Sequence, residues 1–270
     1  MSSRKVVVVT GSSEGGIGAG LCRQFHEEGY IVYATGRSAE KLAPLAEIGI
    51  RTRVMDVNDE ESVKATIDDI VDEAGIDILV NNAGVHYVTP VSEVNIEQAM
   101  AQFNTNVFGI ARTVKACVPH MAKRKSGMII NVGSPAGYAA TPWSAAAHKL
   151  SDSLRIELAP FNIKVVVVAP GAVKSHIVDN HRPLEIKEDS LFAPAAESIM
   201  ARMVWSQGPQ SISSKQFATA VVKKVTDGTI PNYFTYGPFA GQLWWCYYLP
   251  TWITDWLFTR KFNINKLKKA

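Results

Sequence analysis

Val6-Val7-Val8-Val9-Thr10-Gly11-Ser12-Ser13-Glu14-Gly15-Gly16-Ile17-Gly18 is the stretch that decides how this chain folds. Four successive valines form a short apolar run of strand type, without the polar alternation of a half-exposed strand. The glycines that follow permit a tight turn and a close backbone approach, and helical spacing sets in from Ile17. A glycine-rich turn between a strand and a helix brings free backbone N–H groups and the positive end of the helix to one point. That point suits a pyrophosphate.

The same alternation continues outward. Apolar runs predict strands at 5–9, 31–35, 51–55, 77–81, 128–132 and 164–168, each continuous enough in Val and Ile to be covered on both faces. Helical spacing occupies 17–28, 38–47, 59–73, 95–123, 142–159 and 215–227, with Asn58 and Glu61 forming a capping box before the third. Strands alternating with helices predict βαβ units. Residues 1–270 are therefore expected to form one doubly wound α/β domain of Rossmann type, with a seven-stranded parallel sheet. Residues 176–214 are polar and proline-punctuated and follow the last core strand of this set, which makes them the expected substrate lid at the carboxyl edge.

Bulk properties narrow the function. A chain of 270 residues with 47% apolar content can bury one large core. The formal charge is +3 and the basic residues are scattered, so no stripe for nucleic acid is expected. Cys22, Cys117 and Cys246 lie far apart and fit no metal-ligand spacing, which suits a reducing, cytoplasmic setting and buried packing roles. The run at 6–9 is too short for a signal-peptide core.

The second strand closes on Tyr33-Ala34-Thr35-Gly36-Arg37. An acidic residue here would hold a ribose 2′-hydroxyl, whereas Arg37 can pair with a 2′-phosphate, so NADP is expected over NAD. Further motifs fall at strand or helix ends: Asp56-Val57, Asn81-Asn82-Ala83-Gly84, Asn106-Val107-Phe108-Gly109, Asn131-Val132-Gly133-Ser134 and Pro170-Gly171-Ala172-Val173-Lys174-Ser175.

With these motifs in order, the chain resembles the short-chain dehydrogenase/reductase family over about residues 5–265. It is most similar to the branch of acyl-dihydroxyacetone-phosphate reductases and hydroxysteroid dehydrogenases. The resemblance implies that Gly11, Ser13, Gly16, Ile17 and Gly18 line the pyrophosphate and that Asp56 and Val57 meet the adenine. It further implies that Asn82, Ala83 and Gly84 flank the adenosine ribose, and that Pro170 and Gly171 turn the chain so that Val173 and Ser175 lie near the carboxamide. Ser134 would polarise a substrate carbonyl, Asn106 would order a water relay, and subunits would pair through 95–123 and 142–159 as a homodimer.

One family feature is missing: none of the eight tyrosines stands four residues before a lysine. In the family that tyrosine donates the proton, and the lysine lowers its pKa and bonds the ribose. A phenol needs such a neighbour because its ordinary pKa is about 10. Matching Leu150-Ser151-Asp152-Ser153-Leu154-Arg155 to the family's helix puts Ala140 at the tyrosine place and Ser144 at the lysine place. Roughly seven residues, about two helical turns, are absent between matching flanks. Thr141-Pro142 supplies a new helix start, with Thr141 as N-cap.

Three readings follow. The first is an oxidoreductase that has recruited His148 or Tyr138 as proton donor. The second is a non-redox catalyst, such as a cyclase or isomerase, or a binding module on the same fold. The third is an inactive chain, through decay or an exon missing from the gene model.

The tail from 232 to 270 is aromatic and basic. Trp244, Trp245, Tyr247, Tyr248, Trp252, Trp256 and Phe258 precede Arg260, Lys261, Lys266, Lys268 and Lys269. Aromatic rings beside cations suit a membrane headgroup zone, and Pro250, Thr251 and Asp255 interrupt any spanning run. Peripheral contact through 243–269 is expected, at the surface of the endoplasmic reticulum or a lipid droplet. The alternative is that these rings roof the pocket. Both point to a hydrophobic small-molecule substrate: a lipid, steroid, polyketide or terpenoid carbonyl or alcohol, including those of secondary metabolism.

Overall fold

The computed structural model describes residues 4–138, 148–177, 186 and 189–269. In chain order the elements are β1 Val6–Val9, α1 Ile17–Glu27, β2 Ile31–Gly36, α2 Ala39–Ala46, β3 Arg51–Val54, α3 Glu60–Ala74 and β4 Ile78–Asn81. They continue with α4 Ile96–Phe103, α5 Gly109–Arg124, β5 Gly127–Val132, α6 His148–Leu158 and β6 Ile163–Pro170. The remainder are α7 Ala196–Val204, α8 Ser214–Thr226, β7 Tyr233–Tyr236, α9 Ala240–Cys246 and α10 Thr251–Lys261.

All seven strands are parallel, in the order β3-β2-β1-β4-β5-β6-β7. The chain builds outward from β1 to one edge and returns from β4 to the other, so the crevice between the carboxyl ends of β1 and β4 is the topological switch point. Val9 pairs with Ala34 on one side and Val80 on the other, which sets the three strand ends level there. The two faces bury different cores, because successive side chains of a strand point to opposite sides. Val7 and Val9 pack with Leu21, Phe25, Leu42, Phe217 and Val221 of α1, α2 and α8. Val6 and Val8 pack with Ile67, Ile70, Ile110, Cys117 and Leu154 of α3, α5 and α6. A continuous valine run is thus what a strand needs when both faces are covered.

The structure departs from the expected pattern in several places. β3 is an edge strand with Arg51 and Val54 exposed, so it is not covered on both faces. The seventh strand is Tyr233–Tyr236, inside the segment read as an aromatic extension. The N-cap of α3 is Asp59, whose carboxylate accepts from the Glu61 and Ser62 N–H groups; the Asn58 amide oxygen instead accepts from Thr105 Oγ1. The helix expected over 95–123 is broken by a π-turn at Asn104–Phe108. Part of the expected lid is helical, as α7. Cys22 and Cys117 are buried, while Cys246 is only half-buried. The proposed helix start at Thr141-Pro142, with Ala140 and Ser144, lies outside the described residues.

Candidate active site

The glycine turn is held by the strand beside it. Thr10 Oγ1 accepts from the N–H groups of both Asn82 and Ala83 at 3.0 Å, and Asn82 Nδ2 donates back to the Thr10 and Gly11 carbonyls at 2.9 Å. This locks the ends of β1 and β4 together and explains why an asparagine stands at 82. Gly11 has φ +67°, and a Cβ there would sit 2.7 Å from Ala83 Cα, so only glycine fits. Gly18 lets α1 close onto this staple: a Cβ would meet Asn82 Nδ2 and the Gly11 carbonyl at 2.5 Å. Gly16 caps α1 without any side-chain hydrogen bond, which leaves the first N–H groups of the helix for an external acceptor.

Above this turn lies a cleft of about 400 Å³. Gly11, Ser13, Gly16, Ile17, Arg37, Asp56, Val57, Asn82, Ala83 and Gly84 line it, together with Asn106, Ser134, His148, Pro170, Gly171, Val173 and Ser175. Of the residues expected in the site, Gly18 and Tyr138 stay outside the lining. Gly18 serves the helix approach just described. The Tyr138 side chain is buried behind the wall, where its hydroxyl pairs with Thr235 Oγ1 at 2.7 Å. Burial pushes its pKa further above the ordinary phenol value, against the lowering effect of Thr235. That is the opposite of what a proton donor needs near neutral pH.

Arg37 is exposed at the end of β2 and has no hydrogen-bond or ion-pair partner among the described residues. Asp56 uses one carboxylate oxygen to accept from the Asn58 N–H, which shapes the turn beyond β3. A free helix terminus, a glycine bed that a Cβ would fill and an unpaired guanidinium near the β2 end form a donor set that fits a phosphorylated dinucleotide.

The far end of the cleft belongs to Ser134 and Asn106. Ser134 Oγ accepts from the Ala136 N–H at 3.2 Å, which leaves its own O–H to donate. Asn106 lies in the π-turn, and its amide is spent on Val85, accepting from the N–H at 2.9 Å and donating to the carbonyl at 2.8 Å. A π-turn shifts the hydrogen-bond ladder by one residue, a distortion common at functional sites.

His148 is buried with its ring between Gly133 and Gly137, where a Cβ at either position would lie 2.5 Å from it. Its Nε2 accepts from the Ser134 N–H at 3.3 Å, so the proton of the neutral ring is assigned to Nδ1. The ring also packs against Tyr138 and Tyr233, with centroids 5.1 and 5.9 Å away. Burial lowers its pKa, outweighing the raising influence of Asp152. His148 therefore positions the Ser134 loop as a neutral acceptor and is not poised as an acid.

A buried polar chain ties this wall together. Thr113 Oγ1 donates to Asn81 Oδ1, Asn81 Nδ2 to Asn131 Oδ1, and Asn131 Nδ2 to Ser151 Oγ, at 2.7, 2.9 and 2.9 Å. It links α5 to α6 across β4 and β5. The 176–214 segment, expected as the substrate lid, brings His176 and Arg202 to the lining, neither of them singled out from the sequence. His176 lies over Gly15, whose φ of +77° and 2.5 Å approach to the ring exclude a side chain. Arg202 of α7 lies on the same helix face as buried Ile199, three residues earlier, a phase that sequence alone could have revealed.

The aromatic tail divides. Phe239, Ala240 and Leu243 line the cleft, whereas Trp245, Tyr248, Trp252 and Trp256 are exposed. Of the rings named in the tail, Trp244 to Phe258, none lines the cleft; the aromatic wall that the tail supplies there is Phe239. Among the described residues no helix is long and apolar enough to cross a membrane.

Comparison with known proteins agrees with this geometry. Residues 5–185 match the family described as short chain dehydrogenase. A short-chain dehydrogenase/reductase from Pestalotiopsis microspora is 38% identical over 206 residues, covering 75% of this chain and 73% of that one. The NADPH-dependent 1-acyldihydroxyacetone phosphate reductase of Schizosaccharomyces pombe is 31% identical over 260 residues, covering 90% and 86%. Among solved structures, a short-chain dehydrogenase from Streptomyces avermitilis superposes with a TM-score of 0.79 at 26% identity, covering 100% of this chain and 98% of that one.

Proposed function

This chain belongs to the short-chain dehydrogenase/reductase family, and from that premise we propose that it binds NADP(H) along the cleft and interconverts a hydrophobic ketone and alcohol slowly. The observation that carries the cofactor choice is Arg37, an unpaired cation lining the cleft with no acidic residue in the Tyr33–Arg37 strand end. A guanidinium there favours a 2′-phosphate, whereas a carboxylate would repel it. The NADPH-dependent relative from Schizosaccharomyces pombe supports the same choice.

The chain's own residues divide the work. The open N-terminus of α1 and the glycine turn would hold the pyrophosphate, and a nicotinamide bound there would supply hydride. The Ser134 hydroxyl donates to the substrate oxygen and makes its carbon more electrophilic. Tyr138 is tied to Thr235 and the His148 Nε2 accepts from the Ser134 N–H, so neither offers a proton there, and the proton for the substrate oxygen would come from solvent through the Ser134 hydroxyl. General acid catalysis is typically worth 10²- to 10⁴-fold, so slow turnover is the expected consequence of the missing Tyr-x-x-x-Lys pair.

The exposed faces extend the proposal. Trp245, Trp252 and Trp256 are 63%, 71% and 52% exposed, and Arg260 lies 4.4 Å over the Trp256 ring, a surface suited to lipid headgroups. Ile96, Met100 and Phe103 form an exposed apolar stripe on α4, which suits pairing with a second copy.

Dinucleotide titration followed by a carbonyl panel tests the reading. NADPH is expected to bind at least tenfold more tightly than NADH, Arg37→Asp to abolish that preference, and NADPH oxidation to be slow. Equal affinity for the two dinucleotides would refute the cofactor assignment, and tight binding without hydride transfer to any carbonyl would return the non-redox reading.

A further inference from the structure

We propose that Arg202 recognises an anionic group, a carboxylate or a phosphate, on the molecule that enters the substrate end of the cleft. The inference deepens the reductase reading and rests on it for the identity of that end. Arg202 lines the cleft from α7, and its Nε is buried without any hydrogen-bond partner. No carboxylate pairs with it among the described residues, and burial alone lowers its pKa, with no acidic neighbour acting against that. Its described contact is the Trp205 ring, 5.4 Å from the guanidinium carbon. A cation over a ring leaves the buried Nε–H without an acceptor, and a buried donor left so is costly. An arginine kept only for its stem would turn its head to water. A half-buried guanidinium on a cavity wall, with its Nε buried and unpartnered, is instead a site suited to an anion.

Its place in the fold identifies which end of the cleft it serves. The segment after α7 is fastened to the Pro170–Ser175 turn: Gln207 Oε1 accepts from the Ser175 N–H at 3.0 Å, and Val173 bridges to Ile212. Trp205 packs on Phe239 at 4.8 Å, and α9, which follows Phe239, packs on the Pro135–Gly137 turn beside Ser134. Arg202 thus borders the Ser134 end, while Arg37 lines the cleft near the glycine turn. Phe239, which packs on the same Trp205 ring as Arg202, supplies apolar wall to the cleft together with Ala240 and Leu243. The matching ligand is an amphiphile, with an anionic head on Arg202, an apolar body on that wall and its carbonyl or hydroxyl at Ser134.

Calorimetry on the full chain tests this with three ten-carbon probes below their micelle concentrations: decanol, decanoate and decyl phosphate. Each is titrated with and without saturating NADP+. Either anion is expected to bind at least tenfold more tightly than decanol, and the better of the two distinguishes carboxylate from phosphate. Arg202→Gln is expected to erase that preference while leaving decanol and NADP+ affinity unchanged, and Arg202→Lys to retain part of it. Because the guanidinium has no hydrogen-bond or ion-pair partner to lose, only its contact with the Trp205 ring, the Arg202→Gln melting temperature is expected to stay close to that of the wild type. Absence of anion preference, its survival in Arg202→Gln, or a clear fall in that melting temperature would overturn the proposal. Failure of NADP+ to bind, with the Arg202-dependent preference intact, would instead refute the reductase reading alone.

Discussion

His148 and Ser134 are joined by a single hydrogen bond, from the serine N–H to the imidazole Nε2 at 3.3 Å, and the ring reaches it by passing between two glycines. The residue that looks like a substitute proton donor in the sequence is a strut in the structure.

Gly137→Ala is expected to destabilise the protein by about 1–3 kcal/mol, because the new methyl must displace a packed ring. Adding His148→Ala removes the clash, so the double variant should be more stable than the sum of the single effects. Urea unfolding of the four proteins measures this coupling. Strict additivity would show that the ring and Gly137 do not meet.

Stability should fall as the pH drops through the histidine range. The folded pKa of His148 lies below its ordinary value because the ring is buried, so the unfolded chain binds a proton first. The contribution of His148 is therefore full above about pH 6.5 and is lost as the pH falls through the folded pKa. Melting temperatures of the wild type and His148→Gln, compared from pH 7.5 to 5.5, should converge toward the acid end. Parallel curves would remove His148 from the account.

Asn131→Ala should cost on the order of 3 kcal/mol, since it leaves Asn81 Nδ2 and the Ser151 hydroxyl buried without their partner. Denaturant midpoints measured at unchanged slope would report this loss. A change under 1 kcal/mol would mean that the chain of amides and hydroxyls is not shielded from water.

Replacing Trp245, Trp252 and Trp256 together with serine is expected to abolish co-sedimentation with anionic vesicles while leaving NADPH affinity intact. These rings are exposed, whereas Leu243 on the same segment lines the cleft, so truncating from 243 would damage both functions. Unchanged partitioning of the triple variant would count against the membrane surface.

Much of the fold was legible because its periods are local. Val6–Val9 reads as a strand buried on both faces, and the glycine turn, Asn82 and Ser134 fall at strand ends where loops converge. The π-turn at Asn104–Phe108 leaves no trace in the apolar spacing, which runs on through it. Tyr233–Tyr236 escaped notice because four aromatic-rich residues at a sheet edge resemble the tail that follows them. The pairing of Asn106 with Val85 leaves no mark in the sequence, since the two lie 21 residues apart. Arg202 falls in the 176–214 segment expected as the substrate lid, but its charge conceals that it shares the face of Ile199.

The hydrogen bond from Asn131 to Ser151 has a further consequence for α6. Advancing a helix by one residue turns it by about 100° and moves it about 1.5 Å, either of which would break that bond. The helix is therefore indexed against the sheet at Ser151, and the ring of His148, one turn earlier, is carried to its place beside Ser134 by the same register.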